Sequence, residues 1–217
     1  MADSAYVPAL VIQSSDTPLH SAVVRITHWV NALSFFGLVV SGIAILIAHP
    51  RLYWGETGSV ETPSLLDLPL PFVLNGQNGW GRYLHFLSAW FSVLNGLLYV
   101  LSGFLTEHFR KNLFHPEPKE SPPYSVAQRL TYLGVIFLLF PMTIWTGLAM
   151  SPAITSVFPA LVNLLGGQQS ARTIHFFVAA ALVLFLLAHV TMVYLAGFTK
   201  HVRAMIIGQS TRRRENA

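Results

Sequence analysis

Four long apolar stretches constrain this chain more than any other feature. They cover residues about 23–48, 83–106, 130–150 and 172–198. An α-helix needs about 20 apolar residues to cross the hydrocarbon core of a bilayer, and each stretch supplies about that number. Hydrophobic residues make up 53% of the 217 residues and charged residues only 10%, whereas a soluble domain is about 25% charged. The sequence therefore predicts an all-α integral membrane protein, a bundle of four transmembrane helices.

The basic residues outside these stretches predict the orientation. Ten of the 13 basic residues flank the first stretch, lie in the connection between the second and third, or follow the fourth, against three, Arg51, Arg82 and Arg172, on the other side. Because cytoplasmic loops carry the excess of Lys and Arg, we expect both termini in the cytoplasm and span one as the insertion signal. Topology and lipid headgroups account for the net charge of +4, so nothing favours a nucleic-acid partner.

The chain then divides simply along its length. We expect a cytoplasmic N-terminal tail at 1–20, a membrane domain at 21–200 and a basic cytoplasmic tail at 201–217. The connection between the third and fourth spans is apolar and uncharged, which predicts a short helix lying in the outer interface or covered by a partner. Pro141 lies inside the third span and should kink it.

Two histidines, His175 and His189, lie in the fourth stretch, which carries no charge from Thr173 to Phe198. Their spacing is close to four helical turns, so both imidazoles project from one helix face at depths about 21 Å apart. Polar side chains in hydrocarbon are costly and normally face the bundle interior, where a partner compensates them. Two stacked imidazoles point to a pair of metal centres, with haem as the leading candidate. With no cysteine in the chain, covalent c-type haem and thiolate-bound clusters are excluded.

Depth decides which histidines can pair. His28, near the start of span one, and His189, near the end of span four, lie toward the cytoplasmic side. His85 and His175, near the starts of spans two and four, lie toward the outer side. His28 with His189 would hold an inner haem iron, and His85 with His175 an outer one. Iron bound by two imidazoles has no open position for oxygen or a substrate, so this arrangement predicts two b-type haems that carry electrons across the membrane.

Each of three spans opens on the pattern Arg-x-x-His, which occurs as Arg25 to His28, Arg82 to His85 and Arg172 to His175. A spacing of three places Arg and His on one helix face, with the Arg about one turn nearer the water. Haem propionates would lie there, and a guanidinium can pair with them while its stem follows the helix. An arginine that flanks a span is also expected at the membrane–water interface when no cofactor is present.

The other five histidines, His20, His49, His108, His115 and His201, lie outside or at the margins of the spans. We expect none of them to bind metal. His20 and His108 are the ones to examine as proton carriers.

These motifs resemble the bacterial cytochrome b561 family. The resemblance covers about residues 19–200 and rests on the segment from Arg25 through His28, Trp29 and Asn31, on Gly81-Arg82-Tyr-Leu-His85, and on the pair in span four. It extends to the di-haem cytochrome b subunits of nickel–iron hydrogenase and formate dehydrogenase. The resemblance implies ligands from spans one, two and four, and a site for ubiquinone or menaquinone beside the inner haem. Candidates for that site by depth alone are Asn31, Ser34, Thr131, Tyr132 and His20, and none is assigned.

Three functions follow as hypotheses. The favoured one is an electron-transfer subunit, not a stand-alone enzyme, that links the quinone pool to a periplasmic oxidoreductase, and the family resemblance makes a molybdenum-containing enzyme one candidate for that partner. The second is a self-contained b561-type oxidoreductase that passes electrons from a small periplasmic donor such as superoxide to quinone. The third is a transporter or assembly protein whose histidines bind a transition metal or nothing.

Overall fold

The computed structural model describes residues 21–59, 61–69, 79–106 and 126–208. Predictions for the tail at 1–20, for His20, His108 and His115, and for the last residues of the basic tail lie outside these ranges. In chain order the elements are α1 (Ala22–Ala48), β1 (Arg51–Leu52), β2 (Leu66–Asp67), α2 (Gly79–Leu105), α3 (Val126–Gly134), a π-helical segment (Val135–Leu139), α4 (Phe140–Ala149), α5 (Pro152–Thr155), α6 (Ala160–Asn163), α7 (Gln168–Leu195) and α8 (Phe198–Ile207).

Four helical segments are long and apolar enough to cross a membrane, namely Ala22–Ala48, Gly79–Leu105, Leu130–Ala149 and Gln168–Leu195. The predicted four-helix membrane bundle is therefore confirmed, with each span within a few residues of its expected bounds. Helix α8 continues into the segment that we assign to the basic tail. The two ends of the bundle are named by what lies there: the loop end carries β1, β2, α5 and α6, and the α8 end carries α8.

Helices α1 and α2 form the first hairpin and pack along each other. The buried residues of α1 are Thr27, Ser34, Ser41 and Ala48, which recur every seven residues, the repeat of a left-handed helix pair. Such small residues let two backbones approach closely in a membrane, where packing replaces the hydrophobic effect between helices. Side-chain hydrogen bonds add to the contact, since Asn95 Nδ2 donates to Thr27 O over 2.7 Å.

The third span and α7 form the second hairpin, through α4. Pro141 has no N–H to donate back along the helix, and its ring crowds the carbonyl four residues earlier. The chain accommodates this just before the proline by widening into the π-helical segment, where Phe140 N donates to Val135 O. The expected disturbance of span three thus takes the form of a π-helical turn.

The apolar connection after α4 folds into two short helices, α5 and α6, where one was expected. Val162 and Leu165 are buried in a cluster with Ala149 and Ala171, so this segment closes the loop end of the second hairpin. Trp145 Nε1 secures it by donating to Leu161 O over 3.1 Å. The opposite side of the segment stays open to solvent, with Val157, Phe158 and Leu164 exposed.

The first turn of α7 is capped by a loop from the first hairpin, the strap at 53–56. Gly55 O accepts from Gln169 N over 2.9 Å and from Ser170 N over 3.2 Å, while Ser170 Oγ accepts from Gly55 N over 2.8 Å. Thr173 Oγ1 donates to Tyr53 O over 2.6 Å. The first N–H groups of a helix have no partner within it, so the strap satisfies these donors and fixes the start of α7 against the first hairpin.

Candidate metal centres

The four predicted ligands form two pairs, one at each end of the bundle. The rings of His85, from α2, and His175, from α7, have centroids 6.2 Å apart and planes inclined by 64°. At the α8 end, the rings of His28, from α1, and His189, from α7, have centroids 6.3 Å apart and planes inclined by 56°. The structure therefore brings together the same rings that the depth argument pairs.

These separations fit two imidazoles that would bind one metal ion. A metal–imidazole bond is about 2.0–2.1 Å and a ring centroid lies about 1.1 Å from the bound nitrogen, so two rings that bound one metal from opposite sides would stand about 6.3 Å apart. Within the described part of the chain, no group of three or more His, Cys, Asp or Glu side chains converges on a metal position. Each pair thus offers two protein ligands, the number that an iron already bound in a porphyrin accepts. The residues present fit haem.

The pairs lie across the seam between the hairpins. Close packing of the long helices occurs within the two hairpins, α1 with α2 and α4 with α7, and helices of different hairpins make few close backbone contacts. Each histidine pair joins a helix of the first hairpin to α7. The two rings of each pair therefore meet across the seam and not within one hairpin.

At the loop end, each histidine also contacts a buried hydroxyl of a neighbouring helix. Ser41 Oγ lies 3.0 Å from His85 Nδ1, and Thr146 Oγ1 lies 2.9 Å from His175 Nδ1. Both hydroxyl residues have no exposed surface. Neither hydroxyl was predicted from the sequence. The one shared signal is that each is followed directly by a glycine in the chain, Gly42 or Gly147.

Two of the predicted propionate partners converge beside the loop-end pair. Arg172 Nη2 donates to the main-chain oxygen of His49, and the charges of Arg172 and Arg82 both act on the His49 ring. Burial, and then these two positive charges, lower the pKa of His49, so this histidine is neutral at pH 7 and leaves a site with two guanidinium charges. Such a site attracts carboxylates.

The third, Arg25, has a different partner. Its Nη1 donates to Ile206 O over 2.9 Å, and Trp29 Nε1 donates to Met205 O over 3.1 Å. Both acceptors are carbonyls at the C-terminal end of α8, where a positive charge is favourable. Arg25 therefore ties α8 to α1, and a propionate role for it stays a prediction.

The residues considered for a quinone are already engaged where the structure gives their contacts. Asn31 Oδ1 accepts from Ser92 Oγ over 3.2 Å, Ser34 Oγ donates to Val30 O over 2.8 Å, and the ring of Tyr132 contacts that of Phe185. The first two bonds stabilise the helices themselves.

The sequence is similar to those of known proteins. A sequence model described as prokaryotic cytochrome b561 matches residues 19–208. The chain belongs to the prokaryotic cytochrome b561 family. A curated protein of Azospira oryzae, the putative protein-methionine-sulfoxide reductase subunit YedZ1, is 30% identical over 210 residues, which cover 88% of this chain and 96% of that protein. No solved structure matches the chain.

Membership of the cytochrome b561 family supports a membrane electron-transfer subunit and implies haem b. The family match spans all four membrane helices and α8. Haem b is held without covalent attachment, which agrees with the absence of cysteine from the sequence.

The attachment of α8 in this b561 protein is testable through its two donors. Arg25→Leu and Trp29→Phe each remove one hydrogen bond to α8, and a bond of this kind contributes about 1 kcal/mol. We expect trypsin to cleave after Lys200 and Arg203 about fivefold faster in each variant, measured by mass spectrometry on protein in detergent. Arg82→Leu, at the loop end, is the matched control. Cleavage at the control rate would show that these bonds do not hold α8.

Proposed function

We propose that this protein holds two b-type haems, ligated by His28 with His189 and by His85 with His175, and carries electrons between a quinone in the bilayer and a soluble oxidoreductase at the loop end. The main support for the proposal is the separation of the paired rings, 6.3 Å and 6.2 Å. Haem b, the cofactor that the family implies, explains both distances. Haem supplies a reversible one-electron couple. With two histidines on each iron, no position is open for a substrate, so the protein moves electrons and does not bind the reactant.

The side chains then have separate tasks. The four histidines hold iron at two depths, which the fourteen-residue spacing in α7 sets about 21 Å apart along the helix. Arg82 and Arg172 compensate the propionate charges at the loop end. Helix α7 serves both sites, so the strap that fixes its first turn also fixes both ligands of that helix in depth. We propose that the loop end faces the periplasm and that both termini face the cytoplasm, as the basic residues predict.

Histidine variants test the two sites separately. His189→Ala should abolish the α8-end haem and keep the loop-end one, and His175→Ala should do the reverse, because each removes one of two ligands to one iron. Reduced-minus-oxidised spectra combined with a redox titration distinguish the two losses. His49→Ala is the control, since Arg172 bonds to the main chain of His49 and both spectra should persist. Loss of one and the same spectral component in both ligand variants would refute the pairing.

The quinone is proposed to enter at the α8 end. An open, mainly apolar cavity of about 550 Å³ lies between α1 and α8, with Arg25, Trp29 and Leu33 in its lining, a size typical of small-molecule sites. Arg25 Nε is buried and has no acceptor among the described residues, so it can donate to a quinone oxygen. The Trp29 ring centroid is 5.5 Å from that of His28, which makes the cavity wall a direct neighbour of the α8-end site.

Filling this cavity should slow the reaction with quinol. Leu33→Trp places an indole in the cavity, and we expect it to lower the rate of haem reduction by a short-chain quinol about tenfold, measured by stopped-flow absorbance. Leu94→Trp is the matched control, since Leu94 is also an exposed leucine, 60% accessible, on α2. Both variants should be fully reduced by dithionite. Equal rates with quinol would exclude this cavity as the entry site.

A soluble partner is proposed to dock at the loop end. Trp54, Val157, Phe158 and Leu164 are each at least 60% exposed there, and aromatic and aliphatic side chains of this kind form the centres of protein interfaces. The name of the Azospira oryzae protein describes a subunit of a putative reductase for methionine sulfoxide in proteins. A reductase would draw electrons outward from quinol, so this is the first partner class to test, with molybdenum-containing reductases among its candidates.

Negative charges introduced on this surface should prevent the partner from binding. Phe158→Glu combined with Leu164→Glu should abolish co-purification of a redox enzyme that reoxidises the reduced haems, with both haem spectra intact. Ile207→Glu, on α8, is the control for an added carboxylate at an exposed apolar position. If the wild-type protein yields no such enzyme and superoxide reduces its haems, the self-contained b561 oxidoreductase replaces this part of the proposal.

A further inference from the structure

The buried hydroxyls beside the loop-end histidines determine which ring nitrogen carries the proton. Ser41 Oγ lies 2.6 Å from Gly37 O, and Thr146 Oγ1 lies 2.8 Å from Met142 O. A carbonyl oxygen can only accept, and a hydroxyl has one proton. Each hydroxyl therefore donates its proton to the carbonyl of its own helix. The lone pairs of the hydroxyl oxygen can then only accept a hydrogen bond from the histidine.

The histidine must then be the donor in both contacts. With Ser41 3.0 Å from His85 Nδ1 and Thr146 2.9 Å from His175 Nδ1, both rings carry their proton on Nδ1. The neutral ring has its lone pair on the other nitrogen, Nε2.

The same arrangement occurs in both hairpins. In the first, Ser41 and Gly42 of α1 face His85 of α2; in the second, Thr146 and Gly147 of α4 face His175 of α7. A Cβ atom added to either glycine would lie 3.8 Å or 3.7 Å from Cε1 of the respective ring. In each hairpin the histidine ring thus lies beside a glycine and makes a hydrogen bond with the neighbouring hydroxyl, and this bond determines the tautomer and orients the ring.

We propose that Ser41 and Thr146 are positioning residues for the loop-end haem that also lower its reduction potential. The inference rests on the proposed function, because it needs His85 and His175 as ligands. A ligand histidine that donates its other N–H to an acceptor is a stronger base toward the metal and is held in orientation. Stronger donation stabilises ferric over ferrous iron, so removing the acceptor should raise the potential of this haem and leave that of the α8-end haem unchanged.

The test is a spectroscopic redox titration of the holoprotein with electron paramagnetic resonance of the oxidised form. We expect Ser41→Ala and Thr146→Val each to shift the ratio of reduced to oxidised loop-end haem at fixed potential about tenfold toward the reduced form, which is about 59 mV for a one-electron couple. The g values of that haem should change, because the ring is free to rotate. Thr146→Ser keeps the acceptor and should restore both properties.

Matched controls come from the same spans. Ser34 Oγ donates to Val30 O over 2.8 Å and Thr143 Oγ1 to Leu139 O over 2.8 Å, so Ser34→Ala and Thr143→Val remove comparable hydroxyls that donate to a carbonyl of their own helix. Both should behave as wild type. Unchanged loop-end potential in Ser41→Ala and Thr146→Val, or an equal shift of both haems, would overturn the inference. A wild-type protein without two haems would instead refute the proposed function.

Discussion

The cost of placing polar groups in hydrocarbon governs how this protein is built. An unsatisfied donor or acceptor in the bilayer costs several kcal/mol, yet four imidazoles and many hydroxyls lie within the spans. The hydroxyls of Ser34, Ser41 and Thr146 are satisfied by carbonyls of their own helices. The histidines are gathered in pairs on the seam between the hairpins, where the proposed haems would bind their ring nitrogens.

Helix α7 connects the two sites and both ends of the bundle. Its N-terminal turn is capped by the strap through Gly55, and its histidines face α2 at the loop end and α1 at the α8 end. The ends differ in what surrounds the histidines. Two arginines and an ordered loop flank the loop-end pair, whereas the α8-end pair adjoins an open cavity beside Trp29. This difference suits a protein partner at one end and a membrane-dissolved reactant at the other.

The four spans could be predicted from sequence because length and hydropathy alone decide them, and helical periodicity placed the four histidines at two depths. Which helix faces which ring could not be predicted. The contacts of Ser41 and Thr146 depend on the rotation of α1 and α4 about their own axes, which no single-sequence pattern specifies. Contacts between residues far apart in the sequence could not be predicted either. Arg25 donates to the end of α8, and the start of α7 is capped by a loop that lies 115 residues earlier in the chain. The role of the four histidines as iron ligands stays a prediction.

Two haems are proposed to bind at the seam. A pyridine haemochrome assay on detergent-purified protein, scaled to protein concentration by amino-acid analysis, measures the number of haems directly. We predict two non-covalent b-type haems per chain, because each of two histidine pairs would supply both protein ligands to one iron. One haem per chain would contradict the assignment of one histidine pair. A protein that contains no haem would contradict the electron-transfer function proposed for the two pairs.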